Sequence, residues 1–417
     1  MFDIAYQSLR NRWLTASLAV LAIAMSVALI MTVEKVRRDV RLGFTQTISG
    51  TDLIVGARSG AVQLLLYSVF RIGNATNNIS WTTVEDIAGR DAVKWTIPLS
   101  LGDSHRGFRV LGTSSDYFEH YRFGNDRSLT LADGNRFDDV FDVVIGSEVA
   151  RQLAYTLGDT VIVAHGTGKV ALVEHENQPF RIVGILEPTG TPVDSTLHVS
   201  LTGIEAMHID WRNGMAVPGA ATSADAIREM DLQPNAVTAL LVGLHSRSAV
   251  FREQRAMNEY RDEPLLAILP GVAIQELWNL VGVAERALLL VSSFVVVAGL
   301  VNLVSVLLAG LNERRREMAI LRSSGARPFH VFALLCTESA VLSALGLVFG
   351  VVLHYILVAI GALWVQQRFG FDLSLGLPTS RDIVVLLAIF AAGIVAGCLP
   401  AWRAYRQSVA DGMMYRM

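Results

Sequence analysis

The chain has 417 residues, 52% of them hydrophobic and only 18% charged, with a net charge of −3. That is too apolar for an ordinary soluble domain, in which about a quarter of residues are charged. No nucleic-acid partner is expected.

Residues 1–13 place Phe2, Tyr6, Leu9 and Trp13 on one helical face, which predicts an amphipathic helix lying in the cytoplasmic interface. Leu14–Val33 is the first of four apolar runs; the others are Ala287–Leu311, Ser339–Val365 and Ile383–Ala401. About 20 helical residues cross a hydrocarbon core of about 30 Å, so each run is long enough to span. Trp13, Trp278, Trp364 and Trp402 stand at or near the run ends, where amphipathic rings settle at headgroup level. The first run is longer than the core of a usual signal peptide and continues into the charged, helix-like Glu34–Arg41, so a retained anchor is expected. The expected order is a cytoplasmic helix (1–13), a span (14–33), an extracytoplasmic domain flanked by stalk helices (34–286) and a second span (287–311). A cytoplasmic loop (312–328), a third span (329–365), a short outer loop (366–381), a fourth span (382–402) and a cytoplasmic tail (403–417) follow.

Within 34–286, short apolar runs alternate with amphipathic stretches, the pattern of an α+β domain. Strands are expected at Asp52–Gly56, Ala92–Pro98, Gly107–Gly112, Asp142–Ile145, Thr160–Ala164, Phe180–Leu186, Thr196–Ser200 and Val237–Leu244. Helices are expected at Thr83–Arg90, with a capping box at Thr82 and Glu85, and at Ser147–Tyr155, Leu201–Asp210 and Ser248–Arg261. Tyr155–Thr160 and Glu187–Pro192 read as turns, and Gly271–Arg286 as a stalk leading into the second span. The fold class is therefore a membrane protein with four transmembrane helices and a large extracytoplasmic α+β domain between the first two.

Charge sets the orientation. Residues 1–13, 312–328 and 402–417 hold ten Arg and Lys against four Asp and Glu, whereas 34–286 holds 23 against 31. Positive charge marks the cytoplasmic side, so both termini are expected inside and the acidic domain outside. Cys336 and Cys398 lie in or next to spans, and the outer domain has no cysteine to pair.

A phosphate-binding loop needs G-x-x-x-x-G-K-[ST], and the nearest match, around Gly168-Lys169, has Val163 and Val170 where the first glycine and the hydroxyl should stand. Nucleotide chemistry therefore belongs elsewhere, and the chain is not expected to be an enzyme. His165, His175, His198 and His208 show no tight ligand spacing, so no metal is expected; nor is there a G-x-S-x-G elbow. Glu338, about two turns into the third span, reads as a residue hydrogen-bonded near a helix end, with a relay or substrate contact as the alternative. Gly346 with Gly350, and Gly393 with Gly397, are small-x-x-x-small pairs suited to close helix contact, within one subunit or at a seam between two.

The most specific stretch is Asn312–Phe329, NERRREMAILRSSGARPF. A charged segment between two spans must lie on a membrane face, and Met318, Ile320 and Leu321 make it amphipathic. A loop that only fixed topology would need arginine alone.

Its residues Glu313–Ala326 resemble the E-R-x-x-E-I-x-x-L-R-x-x-G-A-like element of MacB/FtsX/LolCDE-type ABC transporter permeases. Leu9-Arg-Asn-Arg12 resembles that family's opening helix, and Gly393–Ala404, with Pro400, its G-x-x-x-G-x-x-P-A-x-x-A ending. Gly146, Ala150, Leu153, Gly158-Asp159 and Phe180–Leu186 are similar to its smaller outer subdomain. The resemblance implies a four-span subunit of a bacterial inner membrane that rests on cytoplasmic ABC ATPase subunits and pairs with a second permease, a homodimer being favoured over a heterodimer. It implies mechanotransmission: ATP-driven closure of the ATPase moves the coupling element, the stalks and the outer domain. Glu313, Arg314, Glu317 and Arg322 would then pair with a docking groove that Ile320 and Leu321 fill, and Gly325-Ala326 would turn the chain into the third span. ATP and Mg²⁺ would sit in the partner, with no cofactor in this chain. A periplasmic adaptor or substrate-binding partner and membrane lipids complete the expected contacts. The leading expectation is an ATP-driven exporter or extractor; the alternative is an FtsX-like subunit that signals to an envelope partner without transport. A membrane-anchored enzyme has no convergent catalytic set to support it.

Overall fold

Among the described residues, four helices are long and apolar enough to cross a membrane: α1 (Trp13–Gln46), α2 (Pro270–Glu313), α3 (Pro328–Phe369) and α4 (Ser380–Arg406). They come from a computed structural model that describes residues 13–165, 173–174, 178–212, 215–216, 222–313, 320, 323, 325–369 and 375–406. The opening helix expected over 1–13 and the cytoplasmic tail lie almost wholly outside the described residues. Contacts divide the chain into two units: Met1–Asp39 with Gly282–Trp364 and Leu373–Met417, and Val40–Val281 with Val365–Asp372.

The expected first span and stalk are one helix, because α1 meets neither Gly nor Pro before Gly43. Its 34 residues make it about 50 Å long, well beyond the about 30 Å of a hydrocarbon core. Proline opens both α2 and α3, where its missing N–H costs nothing. Pro400 lies inside α4 and is buried there.

The second unit is built on one sheet. Its main strands are β1 (Leu53–Ala57), β2 (Val93–His105), β3 (Phe108–Thr113), β4 (Leu131–Gly134), β5 (Asp142–Ile145), β6 (Phe180–Leu186), β7 (Thr196–Ser200), β8 (Ala239–Leu244) and β9 (Leu265–Ile268). They lie in the order β9-β1-β8-β2-β3-β7-β5-β6-β4. The β3–β7 and β5–β6 pairs are parallel and the other neighbours antiparallel. Arg106 and Gly107, with φ of 47° and 91°, make the tight turn joining β2 to β3. Both faces are covered, so β1 and β8 are apolar throughout rather than alternating. One face packs Ile54, Leu241, Leu111, Val144 and Leu186 into a single layer along the sheet. On the other face Leu53, Val55, Leu240 and Val242 form one cluster and Val110, Val143, Ile145, Leu197 and Val199 another.

The capping box expected at Thr82 and Glu85 is not formed. The helix runs Trp81–Ala88, and Ser80 caps it by accepting from the Thr83 N–H. Glu263 decides between the two hydroxyls: its carboxylate accepts from Ser80 N and Oγ and from Thr83 Oγ1, holding Ser80 extended. The expected turns are present, with Gly158 at φ +91° and Gly190 at φ +68°.

The ends of the stalk helices belong to this sheet's core. Val40, Phe44, Ala273, Ile274 and Trp278 join the layer on the first face. The Phe44 ring lies 4.3 Å from Phe70 and 5.7 Å from Trp278. The end of α1 is also tied through its backbone: Gly124 N–H donates to Gln46 O (2.6 Å), and Tyr121 Oη donates to Thr47 O (2.7 Å).

Candidate functional site: a small-residue seam and a charged collar around the first span

In the membrane unit the other spanning helices converge on α1. A Cβ on Gly346 would lie 2.6 Å from Ile23 Cγ2, and one on Gly350 2.6 Å from Val27 Cβ, so α3 packs on α1 through both glycines. Gly299 brings α2 equally close, to Ser26 and Ala22 of α1. Ser26 Oγ donates to Val295 O (3.0 Å), a bridge from α1 to α2. Gly393 and Gly397 take α4 onto Ser343 and Ser339 of α3, and Ser339 Oγ donates to Gly393 O (2.8 Å). Lipid gives helices no hydrophobic reason to associate, so close van der Waals contact and such hydrogen bonds hold them together. Both glycine pairs are thus occupied inside the chain. Glu338 is buried in α3 and has a polar partner. Cys336 and Cys398 bring their sulfurs to 3.7 Å between α3 and α4.

A charged collar surrounds α1 at the chain positions where the apolar run ends. Arg37 donates from Nη1 to Glu34 (3.0 Å) and from Nε to Glu285 of α2 (3.1 Å). Arg38 reaches the segment leading into α4, donating to Thr379 Oγ1 (2.9 Å) and approaching Asp382 Oδ2 at 3.4 Å. Asp382 also accepts from the Thr379 N–H and hydroxyl, both at 2.8 Å. Lys35 pairs with Asp39 at 2.5 Å. One turn deeper, Thr32 Oγ1 lies 2.9 Å from Nδ1 of the buried His354 on α3. α1 is therefore tied to α2, α3 and α4. The side chains of Arg37, Glu34 and Glu285 are only 17–26% exposed, so these ion pairs are screened less than surface pairs. In sequence, Glu34–Thr47 reads only as a stalk, and this collar is not foreseen. The available signal was that charge resumes immediately after Val33 and ends at Arg286, immediately before the next apolar run.

At the opposite ends of the spans, Leu311 of α2, Val331 and Leu335 of α3, and Ala401 and Ala404 of α4 pack into one cluster. α2 ends at Glu313 and α3 begins at Pro328, so this cluster fixes both ends of the predicted coupling loop. Arg314, Glu317, Leu321 and Arg322 lie outside the described residues, as does the Glu313 side chain. Ile320 is exposed, Gly325 is exposed at φ +103°, and Ala326 is half-buried. The positive φ is where only glycine turns without strain.

In the sheet domain, His198 is fully buried. Its Nδ1 donates to Val144 O (3.2 Å), and Nε2 has no partner. Burial, reinforced by the nearby Arg71 charge, pushes its pKa down to about 3, so the ring is neutral. His175 and the side chain of His165 lie outside the description. Asp116, Glu119 and His120 each place a ligand atom within 4.8 Å of the others. Glu119, however, pairs with Arg136 (3.2 Å) and His120 stacks on Trp95, which are structural uses of the same groups.

Two family comparisons bear on this arrangement. The MacB-like periplasmic core domain family matches residues 13–231, and the FtsX-like permease C-terminal family matches residues 289–409. The chain is an ABC transporter permease of the MacB/FtsX type. The permease is 24% identical over 325 residues to the macrolide export ATP-binding/permease protein MacB of Shigella boydii, covering 73% of this chain and 43% of that protein. It is also 24% identical to MacB of Escherichia coli K12, over 72% of this chain and 42% of that one. The permease thus spans about two fifths of the length of these curated relatives. Two solved structures are similar to parts of it. One is the periplasmic region of MacB from Actinobacillus actinomycetemcomitans (12% identity, 56% of this chain, 95% of that one, TM-score 0.33). The other is the extracellular domain of the transporter YknZ (15% identity, 52% of this chain, 99% of that one, TM-score 0.31).

Proposed function

We propose that this permease is the membrane subunit of an ATP-driven exporter or extractor, and that it works by mechanotransmission. A cytoplasmic ATPase acts on the loop between α2 and α3, and the large domain, on the periplasmic side, is the part that is moved. The observation carrying this reading is that α1 and α2 are each one unbroken helix from an apolar span to residues of a sheet core, the half-buried Phe44 and the buried Trp278. A helix whose far end is buried in a core passes on displacement better than a flexible linker would. The sequence holds no phosphate-binding loop, in keeping with ATP hydrolysis by a partner. Exposed Leu14, Leu18, Leu21 and Met25 line one stripe of α1 at heptad-like spacing, an apolar face that suits pairing with a second copy.

The test is the double substitution Leu321→Asp with Arg322→Glu in the full chain, purified with the ATPase that accompanies it. Coupled ATP hydrolysis is lost while membrane insertion and the sheet domain are unchanged. Hydrolysis at the unmodified rate would overturn the coupling role of the loop.

A further inference from the structure

Beside the collar, α1, α2 and α4 leave a groove of about 390 Å³. Ile30, Met31, Leu289, Val384 and Val385 line its apolar part, and Glu34, Arg37, Arg381 and Asp382 its rim. From Ile30 to Arg37 it follows α1 for about 10 Å, with apolar residues at one end and charge at the other. The change occurs where the apolar run gives way to charge, the depth at which lipid headgroups lie.

We propose that this groove binds an anionic phospholipid, with an acyl chain along the apolar wall and the phosphate on the Arg381 guanidinium. Charge at the rim selects the occupant. The carboxylates are engaged: Glu34 accepts from Arg37, and Asp382 accepts from Thr379 and lies against Arg38. Arg381 is different. Its side chain is 80% exposed, and its one rim contact is a long 3.8 Å ion pair with Glu34, beyond hydrogen-bond distance and screened by solvent. A planar guanidinium held loosely at the membrane surface suits a phosphate, and an amphipathic cation would find no uncommitted carboxylate. The apolar wall demands that this phosphate carry a chain. Such a lipid would sit between α1 and α4 beside the Arg38–Asp382 pair and so stabilise the collar.

The test titrates the purified full chain in detergent micelles with phosphatidylglycerol, phosphatidylcholine or glycerol 3-phosphate, and counts retained molecules by native mass spectrometry. The unmodified chain retains phosphatidylglycerol in preference to phosphatidylcholine and does not retain glycerol 3-phosphate. Arg381→Gln, at an exposed position, melts as the parent does and weakens phosphatidylglycerol retention about fivefold, the effect of one basic residue at a membrane surface. Val385→Trp fills the groove and lowers retention of both lipids. Equal retention of the two lipids by the parent, unchanged phosphatidylglycerol on Arg381→Gln, or displacement of the lipid by equimolar glycerol 3-phosphate would each overturn the proposal. So would a groove occupied by a second copy, seen as loss of dimer without loss of lipid in Val385→Trp.

Discussion

Replacing Gly350 by alanine tests whether the small-residue seam holds the bundle together. The new Cβ would lie 2.6 Å from Val27 Cβ, 2.8 Å from Val27 Cγ1 and 2.9 Å from Ala24 O. Carbon atoms pack at about 3.5–4.0 Å, so α3 must retreat from α1 by roughly 1 Å. One of the three obstacles is backbone, which cannot rotate away. Overpacking of this kind costs about 1–3 kcal/mol, whereas alanine's better helix propensity returns at most about 1 kcal/mol. The net effect is therefore destabilising. Gly361 on the same helix supplies the control, because a Cβ there meets nothing within 4 Å. Gly361→Ala should be neutral or stabilising by up to about 1 kcal/mol. The assay is thermal unfolding of the purified full chain in one detergent. Gly350→Ala melts lower than the parent, and Gly361→Ala does not. If the two glycine variants melted alike, the seam would not be a packing determinant.

The collar and the buried histidine make two further predictions. Arg37→Ala removes the guanidinium from which both Glu34 and Glu285 accept and costs about 1.5–3 kcal/mol, the worth of hydrogen bonds to partly buried charges. Adding Glu285→Gln recovers part of that loss in chemical unfolding, and strictly additive losses would refute the pairing. His198 carries a sign that can be worked out: its pKa falls from an ordinary 6.5 to about 3 on folding, so the unfolded chain binds the proton first. The stability this contributes is complete above pH 6.5 and is lost as pH falls toward 3, by about 1.4 kcal/mol per pH unit between. His198→Phe gives up the bond to Val144 O, about 1 kcal/mol at pH 7.5, but loses less than the parent between pH 7.5 and 5 in the same melting assay. Parallel acid limbs for the two proteins would show that His198 does not set the slope.

Legibility in the sequence follows how local each cause is. Spans are legible because length and hydropathy are properties of one segment. Strands β5, β6 and β7 coincide with the expected bounds, each being a short apolar run closed by turn or cap residues. β9 escaped notice because Leu265–Ile268 runs directly into Pro270 and the apolar start of α2, where nothing separates strand from helix. β4 escaped for the opposite reason: Leu131–Gly134 is half-buried at best and is held as an edge strand by β6, so it carries no apolar signature. The Ser80 cap turned on Glu263, 183 residues away, and the collar on Arg37 meeting Glu285 across 248 residues. No pattern within a window can register a partner at that separation. The loop expected to couple to the ATPase is the reverse case, specific in sequence while most of its residues lie outside the described structure.

Seam and collar constrain α1 in different directions. Ile23 and Val27 are four residues apart on α1, and the glycines that receive them, Gly346 and Gly350, are four apart on α3. A helix that slid along its axis by one residue, about 1.5 Å, would lift both side chains out of both hollows at once, so the register is held in steps rather than continuously. The collar resists rotation instead, because Arg37 and Arg38 point to α2 and to the α4 segment and turning α1 breaks both sets of contacts together. Neither constraint depends on the other: the seam is dispersion and steric exclusion, indifferent to salt, while the collar is ionic and weakens with it. An axial slip of α1 past α3 would therefore break the Gly346 and Gly350 contacts together, and slip past α2 meets the same obstacle at Gly299, where Ser26 and Ala22 of α1 lie against the glycine.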